Sequence, residues 1–481
     1  MKRRPSILLG LPAMLALCGC AVGPDYERPD AAKLLPDSWA DTQASNPEPD
    51  LRDWWLRFDD DELTALIEQA LASSLTLAEA RERIIAARAR RGIANAERLP
   101  TLDAEASYTR TETGDEASPL GQSSAGVDED LYSLGAIAGW ELDLWGRVAR
   151  LVEAADAEIE FAAEDLRASH VALVAEVARE VIAIRAIDRD VAIVASTIET
   201  DREALDIARA RSAAGFADEL DVARALRDLE SNQALLPGLR ADRRAAEFRV
   251  AVLLGLPAGS ISIAERSLPE GVAVPNHGVP ADLLMRRPDL RRAERELAAA
   301  TARIGAAEAE RLPRVTLLGS ITLQGPDASD AVNPEAYVLQ AGPTISLPIF
   351  QGGRIDARVQ QAESEQRQAL IRLQAAALDA LAEVETASVR RAQAEARAER
   401  FREAEAAARD AETLSQDRFS AGRVDFLDVT EARRARLAIE RSVVVAQRDA
   451  LFGLIDLYAA LGGGWDAPAL SPTAAASSRG G

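Results

Sequence analysis

The sequence predicts an α+β membrane protein built from two copies of one unit. Two stretches, Arg147–Ala214 and Arg354–Ala421, each run about 68 residues without Gly or Pro and stand about 207 positions apart. The landmarks around them recur at the same offset: Gly146-Arg147 as Gly353-Arg354, Ala214-Gly215 as Ala421-Gly422, Leu220–Val222 as Leu427–Val429, and Leu254-Gly255 as Leu461-Gly462. Ahead of each long stretch lie two short segments in which apolar and polar residues alternate, the pattern of membrane β-strands. The repeat is far longer than solenoid periods of 20–50 residues. At 1.5 Å rise per residue each stretch makes a helix roughly 100 Å long, a spacer rather than an active-site scaffold.

Residues 1–19 read as a signal peptide. Lys2, Arg3 and Arg4 precede an apolar core, Ile7–Leu17, too short for a stable membrane span. The segment ends Leu17-Cys18-Gly19-Cys20. A small residue before a Cys at this place resembles a bacterial lipobox, which makes Cys20 the lipidated first residue; the alternative is a plain signal peptide with two incidental cysteines. Ala21 rather than Asp follows, which in lipoproteins implies sorting to the outer membrane. No third Cys exists, so the mature chain has no disulfide, thiolate metal site or Cys nucleophile. Acyl chains anchor to one leaflet without spanning it. Removing three basic residues with the signal takes the net charge from −22 to −25, against a nucleic-acid partner.

Residues 20–58 form the lipid-anchored, extended N-terminal segment, a tether rich in Pro, Asp and Ser. The first repeat covers 59–256. Its opening helix starts at Asp59–Leu63, where acidic residues complement the helix dipole, and runs to about Arg98 before Pro100. A β-hairpin at 101–145 follows, with strands Thr101–Thr111 and Ser133–Trp145. In the first, Leu102, Ala104, Ala106 and Tyr108 alternate with Asp103, Glu105, Ser107 and Thr109. In the second, Leu134, Ala136, Ala138, Trp140 and Leu142 alternate mostly with Ser, Gly and Glu. The long helix 147–214 carries a seam of Leu173, Val177, Val181, Ile184, Ile187, Val191, Val194, Ile198 and Leu205, near the coiled-coil period. Gly215 turns the chain, and a return helix, 218–254, is broken at Pro237-Gly238.

A linker at 257–280 leads to the second repeat, 281–462. It has a helix over Leu283–Arg311, a hairpin at 315–350, a long helix at 354–421 and a return helix at 425–461. The hairpin's last strand, Tyr337–Phe350, holds Pro343 and Pro348, which a central strand disfavours. Residues 463–481 form a disordered tail. Four strands cannot close a sheet in lipid, so the barrel must be assembled from several chains. Two copies supply eight strands, three twelve, four sixteen.

The chain resembles the outer-membrane factors of the TolC/OprM type, in the lipidated NodT-like subfamily. The likeness rests on Cys20–Pro29 (CAVGPDYERP), Trp140–Arg147 (WELDLWGR), Arg286–Glu294 (RRPDLRRAE), Ala300–Pro313 (ATARIGAAEAERLP), Ser346–Arg354 (SLPIFQGGR) and Ala421–Val429 (AGRVDFLDV). Two departures affect local packing only: Ser74 where many members carry Asn, and Val181 where Tyr is common.

The resemblance implies a homotrimer, with a 12-stranded barrel continued by a long periplasmic α-helical coiled-coil barrel. It implies the passive exit duct of a tripartite efflux pump, fed by an inner-membrane transporter of the resistance-nodulation-division (RND) type and a periplasmic adaptor (membrane fusion) protein. No enzymatic activity follows, and no cofactor beyond the covalent lipid on Cys20. The chain would sit in outer-membrane lipid and extend into the periplasm.

In the family the seal lies at the periplasmic tip, and Asp425 and Asp428 match the paired aspartates that ring it. Three apart at a helix start they share a face, and three copies would set six carboxylates around the pore. Asp after a Gly turn also suits a helix cap. Asp218 and Asp221 hold the equivalent positions in the first repeat and read as helix starts. Arg423, at the turn, either meets a carboxylate or adaptor or is an ordinary solvated arginine. Ala214, Gly215, Ala421 and Gly422 form the tip turns that would meet the adaptor. The difference between AGFADELD and AGRVDFLD is where gating asymmetry would reside.

Nothing else points to catalysis. Arg286–Asp289 (RRPD) reads as a helix start. His170 and His277 share no metal-ligand spacing, and phosphate-loop, nucleophile-elbow and zinc-protease motifs are absent. Two alternatives stand beside the efflux duct: a type I secretion duct for a polypeptide, and a non-pore envelope-spanning lipoprotein, against which the alternating hairpins count.

Overall fold

The computed structural model of the chain describes residues 21–30, 34–40, 51–112, 129–216, 218–275, 280 and 283–465. The first repeat runs α1 (Asp61–Ser73), α2 (Leu75–Ala96), β1 (Thr101–Thr111), β2 (Glu129–Leu142), α3 (Arg147–Ala213), α4 (Glu219–Gln233) and α5 (Leu235–Leu253). The second runs α6 (Leu283–Arg286), α7 (Pro288–Ala309), β3 (Arg314–Gly325), β4 (Tyr337–Ser346), α8 (Arg354–Ser420) and α9 (Phe426–Ala460). The chain forms two compact units. One gathers the described residues within Met1–Arg28, Arg83–Ala162 and Ala293–Leu373; the other those within Pro29–Glu82, Ala163–Arg292 and Gln374–Gly481.

Several expected boundaries differ. The disordered tail does not begin at 463, since Gly464 N–H donates to Leu51 O (2.8 Å) and Trp465 Nε1 to Arg286 O (3.2 Å). The opening helix is not continuous to Arg98: it breaks at Ser74, whose ψ of 129° leaves the helical region. The break wastes no hydrogen bond, because Ser74 N–H donates to Ala70 O (2.9 Å) and its carbonyl accepts from Ala78 N–H (3.0 Å). The second repeat breaks at the matching place, Arg287, where Pro288 disfavours helix in its predecessor. The return helix divides at Ala234, not at Pro237-Gly238. Pro237 lies in the first turn of α5, where its missing N–H is not needed; its ring excludes the carbonyl four residues back, Gln233, the last residue of α4. The strands end at Leu142 and Ser346, short of 145 and 350. Asp143 has left the sheet to cap α3, its carboxylate accepting from Val148 N–H (3.1 Å) and Ala149 N–H (2.8 Å).

The sheet-bearing unit holds one antiparallel sheet in the order β1-β2-β3-β4. Pro343 is tolerated because β4 is an edge strand of this sheet. Residues 21–28, expected as part of an extended tether, are bound as a strap across α3 and α7. Val22 N–H donates to Trp145 O (3.1 Å), and Arg150 donates to Val22 O (3.2 Å) and to Asp25 (2.7 Å). Tyr26 and Arg28 both donate to Glu294, at 3.0 and 2.7 Å. Two glycines make the crossing: a Cβ on Gly23 would stand 2.3 Å from Gly305 Cα, and one on Gly305 would stand 2.6 Å from Val22 O. Gly92 occupies the matching place in α2, and there nothing lies within 4 Å.

The other unit is helical. Of the predicted seam on α3, Leu173, Val177, Val181, Ile184, Val194, Ile198 and Leu205 are buried. Its α8 counterpart is mostly alanine, with Ala377, Ala380, Val384, Ala387 and Ala394 buried. Gly453 lets α9 approach α8 closely; a Cβ there would sit 2.9 Å from Arg391 Cα. Trp54 stacks on Tyr458 at 5.0 Å between ring centroids. Arg185, 0 % exposed, donates to Asp60 (3.1 Å), Glu62 (2.7 Å) and the Ala264 carbonyl, joining α3 to the cap of α1 and to the linker.

The strap's dependence on Gly305 is testable. Gly305→Val should expel residues 21–28 and expose Glu27 to a Glu-specific protease, while Gly92→Val leaves the strap protected. Equal protection in both variants would refute the interlock.

Candidate functional site

The strand register sorts the sheet into two faces. On one, Leu102 stands opposite Ala138, Ala104 opposite Ala136, Ala106 opposite Leu134 and Tyr108 opposite Tyr132. The same face continues through Val315, Leu317, Ile321 and Leu323 to Ile345, Pro343, Leu339 and Tyr337. The other face carries Asp103, Glu105, Ser107, Thr316, Ser320, Thr322, Gln324, Gln340 and Thr344, with Ile137 and Leu318 among them. Aromatic residues mark both ends of the apolar face. Tyr108 and Tyr132 rings lie 4.7 Å apart, and Tyr108 donates to Asp130 (2.8 Å). Toward the other end, Trp140 Nε1 donates to Arg98 O (2.9 Å). Tyr132 and Trp140 stand about 27 Å apart along β2, close to the apolar band of an outer-membrane barrel once the strand is tilted. Yet every residue of β1 and β4 is exposed, so neither face of these two strands is covered by the described residues.

The two tips close alike. Gly215 (φ 75°) and Gly422 (φ 68°) take the left-handed conformation. Phe216 N–H then reaches Arg211 O, and Arg423 N–H reaches Arg418 O, each at 2.8 Å, the six-to-one bond of a Schellman ending. Ala214 and Ala421 are exposed in these turns. Asp218 caps α4 through a long contact to Leu220 N–H (3.5 Å), and Asp221 pairs with Arg224 at 3.4 Å. In the second tip, Asp425 is the N-cap of α9, and Asp428 Oδ2 accepts its backbone N–H at 3.2 Å. Both carboxylates remain exposed, so the helix-start arrangement leaves them open to solvent. Arg423 is exposed and makes no ion pair among the described residues. Phe419 and Phe426 pack at 5.5 Å, and Arg211 lies over Phe419 at 4.5 Å.

Near these tips lies a buried polar cluster that sequence reasoning missed. Asp201 accepts from Asn232 (2.7 Å), and Arg434 donates to Asp228, tying α9 to α4. Glu412 accepts from Arg433 (3.2 Å) and Arg436 (2.6 Å), tying α9 to α8. Burial raises the Asp201 carboxyl above its ordinary value, against the Asn232 hydrogen bond and the Arg433 charge. Burial raises Asp228 too, against the pull of Arg227. Charged residues scattered along four helices show no sequence pattern, which is why the cluster was illegible.

Of the remaining candidates, Cys20 and His277 lie outside the described residues. His170 is half-buried on α3, its pKa lowered by burial and by the charge of Arg81. No metal-binding cluster occurs among the described residues.

The model of the outer membrane efflux protein family matches residues 66–256 and 279–463, one match per repeat. The chain belongs to the outer membrane efflux protein family. Nodulation protein T of Rhizobium leguminosarum bv. trifolii is 32 % identical over 94 % of this chain and 96 % of its own length. The toluene efflux pump outer membrane protein TtgI of Pseudomonas putida is 31 % identical over 94 % and 97 %. The outer-membrane channel OprN superposes with a TM-score of 0.84 at 32 % identity, covering 93 % of this chain and 100 % of its own. A CusC structure superposes at 0.81 and 26 % identity, covering 92 % and 100 %.

The fold class of this outer membrane efflux protein is that of these trimeric channels, in which each chain gives four strands to a 12-stranded barrel. The protein is an outer-membrane efflux channel component and not an enzyme. The RRPD run proves to be a helix start with a keystone: buried Arg287 donates to Asp289 (2.6 Å), Glu383 (2.7 Å) and Ala460 O (2.8 Å).

The raised Asp201 value fixes a pH dependence. The folded state takes up this proton more readily than the unfolded chain. The cluster therefore gains stability as pH falls toward the ordinary carboxylate value, and loses it as pH rises through the raised one. Asp201→Asn keeps an acceptor for Asn232 and removes the buried charge. Amides of α4 should stay within about 1 kcal/mol of wild-type protection at neutral pH, with a flatter pH response by hydrogen exchange. A steeper response would contradict the assignment.

Proposed function

We propose that three copies of this chain form the exit duct of a tripartite efflux pump, passing small molecules from a periplasmic adaptor and an inner-membrane RND transporter to the exterior. One observation carries the reading. The sheet presents a continuous apolar face bounded by aromatic residues, a polar face behind it, and two open edges. Such a sheet is satisfied in lipid only as part of a closed barrel with a polar lumen. The toluene efflux named for TtgI supports efflux of small molecules as the class. Energy comes from the transporter in this reading, because the efflux channels of this family are not enzymes.

Asp425 and Asp428 line the gate in this reading. Their exposure at the first turn of α9 supports it: three copies would gather six carboxylates, and such a ring favours cations and holds them. The adaptor opens the gate at the tip turns around Gly215 and Gly422. Cys20 carries the lipid, which holds the chain to the outer membrane as well as the barrel does. The strap supports this placement, since Ala21 lies against Gly146 at the junction of sheet and helix.

Asp425→Ala combined with Asp428→Ala should raise resting conductance in planar bilayers, or abolish block by divalent cations. Unchanged conductance with unchanged block would remove the aspartates from the gate. Deleting the chain should sensitise cells to small toxic compounds. Wild type should reverse this, and Cys20→Ser should yield a mature protein lacking the acyl mass. Unchanged susceptibility with loss of a secreted polypeptide would favour the type I duct instead.

A further inference from the structure

The duplication indicates which surfaces of two copies meet. Within the chain, β2 of the first repeat pairs with β3 of the second, and α3 packs against α7. If each repeat treats the next alike, β4 and α8 must receive β1 and α2 of a second copy. This inference rests on the reading that copies close one barrel through their open edges.

The charges test it pair by pair. Three ion pairs join α3 to α7: Glu158 with Arg303, Glu160 with Arg295 (2.8 Å) and Asp165 with Arg292 (2.7 Å). Positions matching the α3 residues in α8 lie about 207 later, and those matching α7 in α2 lie about 213 earlier. The equivalents of the three pairs are Glu365 with Arg90, Arg367 with Glu82, and Arg372 with Glu79. The first keeps its signs. The second and third reverse both signs at once, so opposite charges still face each other. A fourth pair, Glu164 with Arg291 at 2.8 Å, corresponds to Ile371 with Ala78: both partners have lost their charge together. Ile371 is 61 % exposed in the single chain, with a small apolar residue due opposite it. Surface charges that drifted independently would not reverse in pairs.

We propose that the α8 face bearing Glu365, Arg367, Ile371 and Arg372 seats α2 of a second copy of this chain, against its Arg90, Glu82, Ala78 and Glu79 in that order. The contact is head-to-tail, so it closes a ring instead of capping a two-fold dimer. Exposed ion pairs of this kind set register and exclude wrong partners, while the strand edges supply most of the affinity. The arginines need not abandon their own chain: Arg372 already meets Glu296 at 2.8 Å and Arg90 meets Glu158 at 3.7 Å, and a guanidinium serves two carboxylates.

Cross-linking tests the seat in the full-length lipidated protein, whose only other mature cysteine is the acylated one. Arg90→Cys with Glu365→Cys, treated with a short bismaleimide, should give covalent dimers and trimers on a denaturing gel. The internal counterpart, Glu158→Cys with Arg303→Cys, should close within one chain and stay at monomer mass. Arg367→Glu alone should lower the temperature at which the assembly dissociates, and adding Glu82→Arg should restore it. Monomer alone from the first pair, or no rescue by the double reversal, overturns the proposed seat while wild type still assembles by native mass spectrometry. A monomeric wild type would overturn the barrel reading itself.

Discussion

The backbone hydrogen bonds left open along β1 and β4 are the constraint from which the rest follows. Roughly half the N–H and C=O groups of each edge strand point away from the sheet, about ten per edge, and each unsatisfied group in hydrocarbon costs several kcal/mol. The total, on the order of tens of kcal/mol per edge, exceeds the stability of an ordinary domain. The chain cannot rest in a membrane alone. Side-chain alternation, aromatic ends and complementary helix charges all serve a structure completed by copies of itself.

Much of this was legible in the residues, and the legible parts share a cause. The absence of Gly and Pro over each long stretch leaves nothing to stop a helix, and α3 and α8 each run 67 residues. Period-two alternation marked all four strands because every one has a lipid face and a water face. What escaped notice has a common cause too. The break at Ser74 comes from a backbone angle that no residue type announces. The strap comes from two glycines almost three hundred positions apart, and the polar cluster from Asp201, Asp228, Glu412 and Arg433, contributed by four helices. Local chemistry writes local structure into sequence; contacts between distant segments leave only single residues behind.

The two repeats share a plan and diverge in detail. Gly305 admits the strap, while its counterpart Gly92 faces open space. Gly453 lets α9 press against α8, where its counterpart is Ala246. At the tips, Asp221 is held by Arg224, whereas Asp428 is held only by a backbone N–H, the lighter restraint of the two. The second tip therefore has the carboxylates freer to change partners, as the gate proposed there requires.

The crossing of Gly23 over Gly305 also carries information about time. The strap precedes both repeats in the chain, but half of its groove is built by α7, nearly three hundred residues later. Contacts so far apart in sequence form late, after the loop between them has been closed by structure of its own. The strap must then wait until α7 of the second repeat has formed. Once seated, it ties α3 of the first repeat to α7 of the second, so its protection reports that both repeats have folded.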